Sequence, residues 1–144
     1  MIENKRFKYS QTKEKVFKLL KGEVFPRNAD IYMFALSLGV KNRKRIPLED
    51  SRPDPIAYTI FDDGHKKFMD LVVLFETQNI DLLNKNDENL KEYIKIIEEY
   101  TNGGLEIILK EIEVSPENSY QILLAKLKDE LKEDNLDLLE GDLF

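Results

Sequence analysis

Residues 27–48 read RNADIYMFALSLGVKNRKRIPL, and this stretch decides the fold class. Ile31, Phe34, Ala35 and Leu38 fall on one helical face, while Tyr32, Met33 and Leu36 extend the apolar surface nearly all round. A helix apolar on every side is buried in a domain or in an oligomer seam. Asn28 is placed to cap a helix over 29–38, Asp30 suits its positive end, and Gly39 reads as the residue just past its end. Directly behind it stands Lys41-Asn42-Arg43-Lys44-Arg45, four cations in five residues. A buried helix that opens into a dense basic cluster predicts a helical domain with an exposed cationic edge.

Outward from this stretch the pattern stays mostly helical. Upstream, Val16, Leu19 and Leu20 give residues 11–21 an apolar stripe, with Ser10 as cap and Gly22 as stop. Downstream, Pro53 and Pro55 forbid regular helix over 49–55. Ile56 to Phe61 is β-branched and aromatic, which predicts a short strand in a hairpin with 45–48. Asp62 or Asp63 starts a helix over 64–77 with Phe68, Leu71, Val72 and Phe75 facing the core. Asn86 or Asp87 starts another over 88–100, with Leu90, Ile94 and Ile97 in line. Asn102-Gly103-Gly104 is expected to break it at a helix–helix corner, before a new stripe at Leu105, Ile108, Leu109 and Ile112. Ser115-Pro116 marks the start of a last helix over 116–132, with Tyr120, Leu123, Leu124, Leu127 and Leu131 buried. The expected organisation is one compact, multi-helix, mostly α domain over 1–132, then a mobile acidic tail over 133–144 with leucines between the acids.

Composition narrows the chemistry. The chain has 144 residues, no cysteine and one histidine. Disulfides, thiolate zinc sites, iron–sulfur clusters and a cysteine nucleophile are therefore excluded. No apolar run spans a bilayer and no signal peptide is evident, so the expected location is the cytoplasm. The net charge of −6 hides a split: residues 1–48 carry +8 and residues 49–144 carry −14. Such a split suggests nucleic-acid contact, or two blocks that neutralise each other within the fold.

Few residues have a catalytic look. Asp62-Asp63-Gly64-His65 has the groups for a metal or a proton transfer, which would make a carboxylate-metal nuclease, but acids at a helix start are ordinary caps. Asn102-Gly103-Gly104 lacks the lysine of a phosphate-binding loop. Tyr100 reads as core. Glu98 and Glu99 are adjacent on a helix, point in different directions, and read as solvated face. No catalytic residue, metal site or cofactor is expected. The best binding candidate is a patch of Lys41, Arg43, Lys44 and Arg45, widened by Arg27, Lys15 and Lys18, that would hold duplex phosphates without reading sequence.

RNADIYMFALSLGVKNRKRIPL followed by IIEEYTNGGLEIILKEI at 96–112 resembles the small DNA phosphorothioation-associated protein 4 family, of the Dnd-associated type. The segment from Glu99 to Ile107 is the more distinctive part, and the likeness covers roughly residues 7–113. The resemblance implies a place beside bacterial systems that put sulfur into the DNA backbone and restrict foreign DNA, an anti-phage defence. It brings no catalytic residues. The first forty-odd residues also loosely resemble the small, ribbon-helix-helix-like DNA-binding subunit of the modification machinery, which oligomerises; the acidic C-terminal half departs from it. Two functions follow as expectations. One is a non-enzymatic DNA-associated accessory that binds backbone through the basic half, with other proteins of the defence system and a second copy of itself as partners. The other is an acidic adaptor with no direct DNA contact, docking through Leu136, Leu138 and Leu139.

Overall fold

The computed structural model describes residues 2–22, 25–50 and 55–114. The helix expected over 116–132 and the tail over 133–144 lie outside the described residues. Four α-helices and one small sheet make up the described part: β1 (Arg6–Phe7), α1 (Glu14–Leu20), α2 (Asn28–Lys41), β2 (Ile56–Ala57), α3 (Asp63–Thr77) and α4 (Asp87–Val114), with short 3₁₀ turns between them. The mostly α fold class holds.

The core is built around α2. Ala29, Ile31 to Leu36, and Leu38 are all buried, so the all-round apolar pattern is satisfied inside this chain. Helix α4 crosses α2 and shares most of the core with it through Tyr93, Ile96, Ile97, Leu105 and Ile108. An aromatic cluster closes one end, where the Phe7 ring stands 5.8 Å from Phe61 and 6.3 Å from Tyr32.

Helix α4 does not break at Asn102-Gly103-Gly104. It runs through them for 28 residues. The glycines are needed for contact rather than for a turn. A Cβ on Gly104 would stand 2.9 Å from Ala35 Cα, and closer still to the Ala35 carbonyl oxygen. A Cβ on Gly39 would stand 2.8 Å from the Tyr100 carbonyl carbon. Gly39 is therefore not the residue past the end of α2 but part of its seam with α4. Ala35 and Gly39 on one helix, and Tyr100 and Gly104 on the other, are each four apart. They bring two backbones together where side chains usually hold helices 8–10 Å apart.

The end of α2 lies further on. Lys44 N–H donates to Gly39 O at 2.9 Å and Arg43 N–H donates to Val40 O at 3.1 Å, the paired bonds of a Schellman cap. Arg43 holds the left-handed position with φ 50°, where glycine is usual. Asn42 Nδ2 also donates to Leu38 O at 2.8 Å.

Other local expectations shift too. β2 pairs antiparallel with β1, Phe7 opposite Ile56, so the sheet is not a hairpin with 45–48. Residues 45–48 are drawn to α4 instead. The Ser10 hydroxyl makes no cap bond and accepts from Glu49 N–H at 3.3 Å. Asn28 is the first residue of α2 rather than its cap. In α1, Phe17 is buried and Leu19 is exposed. Helix α3 starts as expected, with Asp62 capping it, but it turns Met69, Val72 and Val73 inward and leaves Leu71 47% and Phe75 60% exposed.

Candidate functional site

The basic loop 42–47 lies along the middle of α4. Ile46 N–H donates to Glu99 O at 3.1 Å, and Asn102 Nδ2 donates to Ile46 O and Pro47 O at 3.2 and 3.3 Å. Gly103 lets the loop in: a Cβ there would meet Lys44 Cγ at 3.2 Å and the Lys44 carbonyl oxygen closer still. Asn102, Gly103 and Gly104 are thus packed against this chain's own backbone, which leaves no approach for an oxyanion at these glycines.

The side chains of the loop divide. Arg45 turns inward. Its Nη1 lies 2.9 Å from Glu76 Oε1 and its Nη2 3.0 Å from Glu99 Oε1, while its guanidinium carbon stands 5.6 Å from the centre of the Tyr100 ring. The Tyr100 hydroxyl donates to the other oxygen of Glu76. That bond, reinforced by Arg45, holds the Glu76 carboxyl below the usual carboxylate range. Burial and the same bond push the Tyr100 hydroxyl up to about 12. Burial disfavours the charge on Arg45, but hydrogen bonds to Glu76 and Glu99 outweigh it and keep the guanidinium charged.

The rest of the expected patch is spread over the surface. Lys41 and Arg43 are exposed at the end of α2, and Lys44 is half-buried. Lys18 is exposed on α1. Lys15 reaches Glu113 at 3.4 Å, with both side chains more than half exposed, a pair worth little. Arg27 pairs with Asp30 at 3.2 Å and donates to Ile60 O, near the cap of α3.

The sequence reading missed the partners of these cations. Glu99, Glu106 and Glu113 stand seven apart, two turns each, so they share one stripe of α4. Each receives a cation from the basic block: Arg45 on Glu99, Lys13 on Glu106 at 2.7 Å, and Lys15 on Glu113. Lys13 is buried, and its hydrogen bond holds the Glu106 carboxyl below the usual range. The seven-residue spacing was the available signal. Glu98 and Glu99 do point apart, as expected, but neither is solvated face. Glu98 Oε2 accepts from Lys8 N–H at 2.6 Å, and burial pushes its carboxyl up to about 6.

The Asp62–His65 segment acts as a cap. Asp62 Oδ1 accepts from His65 N–H at 2.8 Å, which lowers the Asp62 carboxyl, and the His65 ring stands edge-on to Phe61. Among the described residues, no three or more His, Asp or Glu side chains gather to hold a metal ion. None of the described helices is long and apolar enough to cross a membrane.

Fold and site together define a mostly helical domain whose basic loop is seated in a carboxylate-and-tyrosine socket on its longest helix. The residues that this helix brings to the socket, Glu99 to Glu106, lie within the distinctive segment from Glu99 to Ile107. The chain belongs to the family of DNA sulphur modification system-associated protein 4, whose family model matches residues 6–140. It is thereby tied to a DNA sulphur modification system. No curated protein and no solved structure matches it.

Proposed function

We propose that this chain is a non-enzymatic, cytoplasmic accessory of a DNA sulphur modification and defence system, and that it acts by contacting other proteins of that system. The observation that carries this reading is the seat of Arg45 between Glu76 and Glu99. The centre of the basic cluster is answered by the chain's own carboxylates, and so are Lys13, Arg27 and Lys15 around it. A chain of net charge −6 that pairs Arg45, Lys13, Arg27 and Lys15 with its own carboxylates repels nucleic acid at long range. The contact segment is the acidic tail, whose Leu136, Leu138 and Leu139 fall within the span of the family match. Replacing these three leucines by serine abolishes capture of the system's other proteins by the full chain. Undiminished capture by that variant rejects the reading.

A second reading keeps direct DNA contact, and one observation favours it. Lys18, Lys41 and Arg43 are exposed, with Lys44 half-buried beside them. In that reading, replacing Arg43 and Lys44 by alanine weakens duplex binding alike for every sequence, since phosphate contacts carry no base readout.

A further inference from the structure

Helix α3 has a bare shoulder. Lys67, Leu71 and Phe75 follow one another at four-residue spacing, which lays them along one side of the helix. Leu71 is 47% and Phe75 60% exposed, Lys67 is exposed, and Phe68 beside them is only partly buried. Two of the three carboxylates of α3 are held elsewhere. Asp70 accepts from the Tyr93 hydroxyl and pairs with Lys85, Glu76 is held by Arg45 and Tyr100, and Asp63 sits in the first turn. The shoulder is therefore apolar at Leu71 and Phe75, with Lys67 at its end and Asp63 one turn before Lys67.

We propose that this shoulder is the resting place of the chain's own C-terminal segment, with Leu136, Leu138 and Leu139 against Leu71 and Phe75, and Asp137 or Glu140 near Lys67. The inference rests on the tail being the docking segment, and adds that the tail is held in cis until a partner displaces it. Three arguments select this occupant. Residues 133–144 carry five acids and no cation, with leucines between them, the complement of the shoulder. The chain also reaches. The 22 residues from Val114 to Leu136 span at most about 73 Å, against a radius of gyration of about 13 Å for a domain of the described size. Finally, the shoulder is small. Its exposed side chains offer on the order of 300 Å², whereas a stable interface between two copies needs about 800 Å² on each. A tethered segment binds at an effective concentration in the millimolar range and can occupy so small a site.

The natural chain has no cysteine, so an introduced pair reports its own proximity. The full chain carrying Phe75→Cys and Leu138→Cys forms an intrachain disulfide under mild oxidation at least tenfold faster than one carrying Lys91→Cys, on the exposed side of α4, and Leu138→Cys. Equal rates overturn the proposal, and so do disulfides that link only separate chains. Amide exchange on chains without cysteine supplies the second measure. Exchange at residues 136–140 is slowed several-fold in the natural chain and returns to the free-peptide rate in the Leu71→Ser, Phe75→Ser variant, whose changes lie on the surface. Free-peptide exchange in the natural chain, or slowed exchange that the variant leaves unchanged, overturns it. Both measurements use the protein alone, so they are separate from loss of partner capture, which bears on the proposed function.

Discussion

The two long helices meet the core in opposite ways. At its middle, α4 is enclosed on nearly every side: Tyr100 to Leu105 are all buried, with α2 against Gly104 and the basic loop against Gly103. Helix α3 buries Met69, Val72 and Val73 and leaves a leucine and a phenylalanine bare. The difference teaches that apolar residues do not by themselves place a helix. Glycine lets α4 be surrounded by backbone, and polar anchors turn α3. Asp70 and Glu76 are fixed by Tyr93, Lys85, Tyr100 and Arg45 on or beside α4, and those bonds set which side of α3 faces inward.

The largest expected effect tests the enclosure of α4. Gly→Ala at an exposed helix position stabilises a protein by about 1 kcal/mol through helix propensity. At Gly104 the added methyl meets the Ala35 backbone, which cannot yield as a side chain can. Gly104→Ala is expected to destabilise by about 3 kcal/mol or more, the upper range for overpacking. Urea denaturation decides the sign, and a stabilised variant breaks the comparison.

Next in size is Arg45. Arg45→Ala leaves Glu76 and Glu99 without their partner and removes the contact with Tyr100. Its side chain is 27% exposed, so the expected cost is about 2 kcal/mol, below the 3–5 of a fully buried pair. Arg45→Lys restores only part of this, because an ammonium cannot bridge two carboxylates as a fork does. Full recovery by lysine in thermal melts would show that charge alone matters there.

Glu98 gives a pH signature. Its carboxyl is raised to about 6 in the fold from an ordinary value near 4.5. The folded state therefore holds the proton more tightly than the unfolded chain. The contribution is fully present below about pH 4.5 and is lost as pH rises through 6. Glu98→Gln keeps an oxygen for Lys8 N–H and is expected to stabilise by about 1 kcal/mol at pH 8. It also removes that loss between pH 4.5 and 6 from the stability profile. An unchanged profile contradicts the half-buried placement of this side chain.

The smallest effect is on the bare shoulder. Phe75→Ser is expected to change stability by no more than about 0.5 kcal/mol. Val73→Ala, two residues away and fully buried, is expected to cost about 1–2 kcal/mol. A large cost at Phe75 would mean that the shoulder is covered more firmly than a tethered tail requires.

Much of the fold was legible in the sequence. The all-round apolar pattern of 31–38 called for a buried α2, in the domain or in an oligomer seam, and the structure buries it in the domain; Asp62 or Asp63 gave the start of α3 to within a residue. The break at Asn102-Gly103-Gly104 was misread because glycine serves two ends that look alike in sequence, the positive φ of a cap and the close approach of backbones. Only the position of α2 and of the loop decides between them. Arg43 shows the reverse, a cap made without glycine. The inward face of α3 was misjudged by about one residue of rotation, because polar anchors outweighed hydrophobic spacing. At the site, the basic cluster was plain and its partners were not. Arg45 meets Glu76 and Glu99 from 31 and 54 residues away, and no local pattern announces contacts of that range.

The central claim is that the basic block is answered inside the molecule. Its most direct test is the anisotropy of a labelled DNA duplex titrated with the full chain at several salt concentrations. The account predicts weak binding and a slope of log affinity against log salt shallower than about −2, since Arg45, Lys13, Arg27 and Lys15 already face the chain's own carboxylates. A slope near −3.6, as for four neutralised phosphates, would contradict it, most directly if Arg45→Ala flattened that slope.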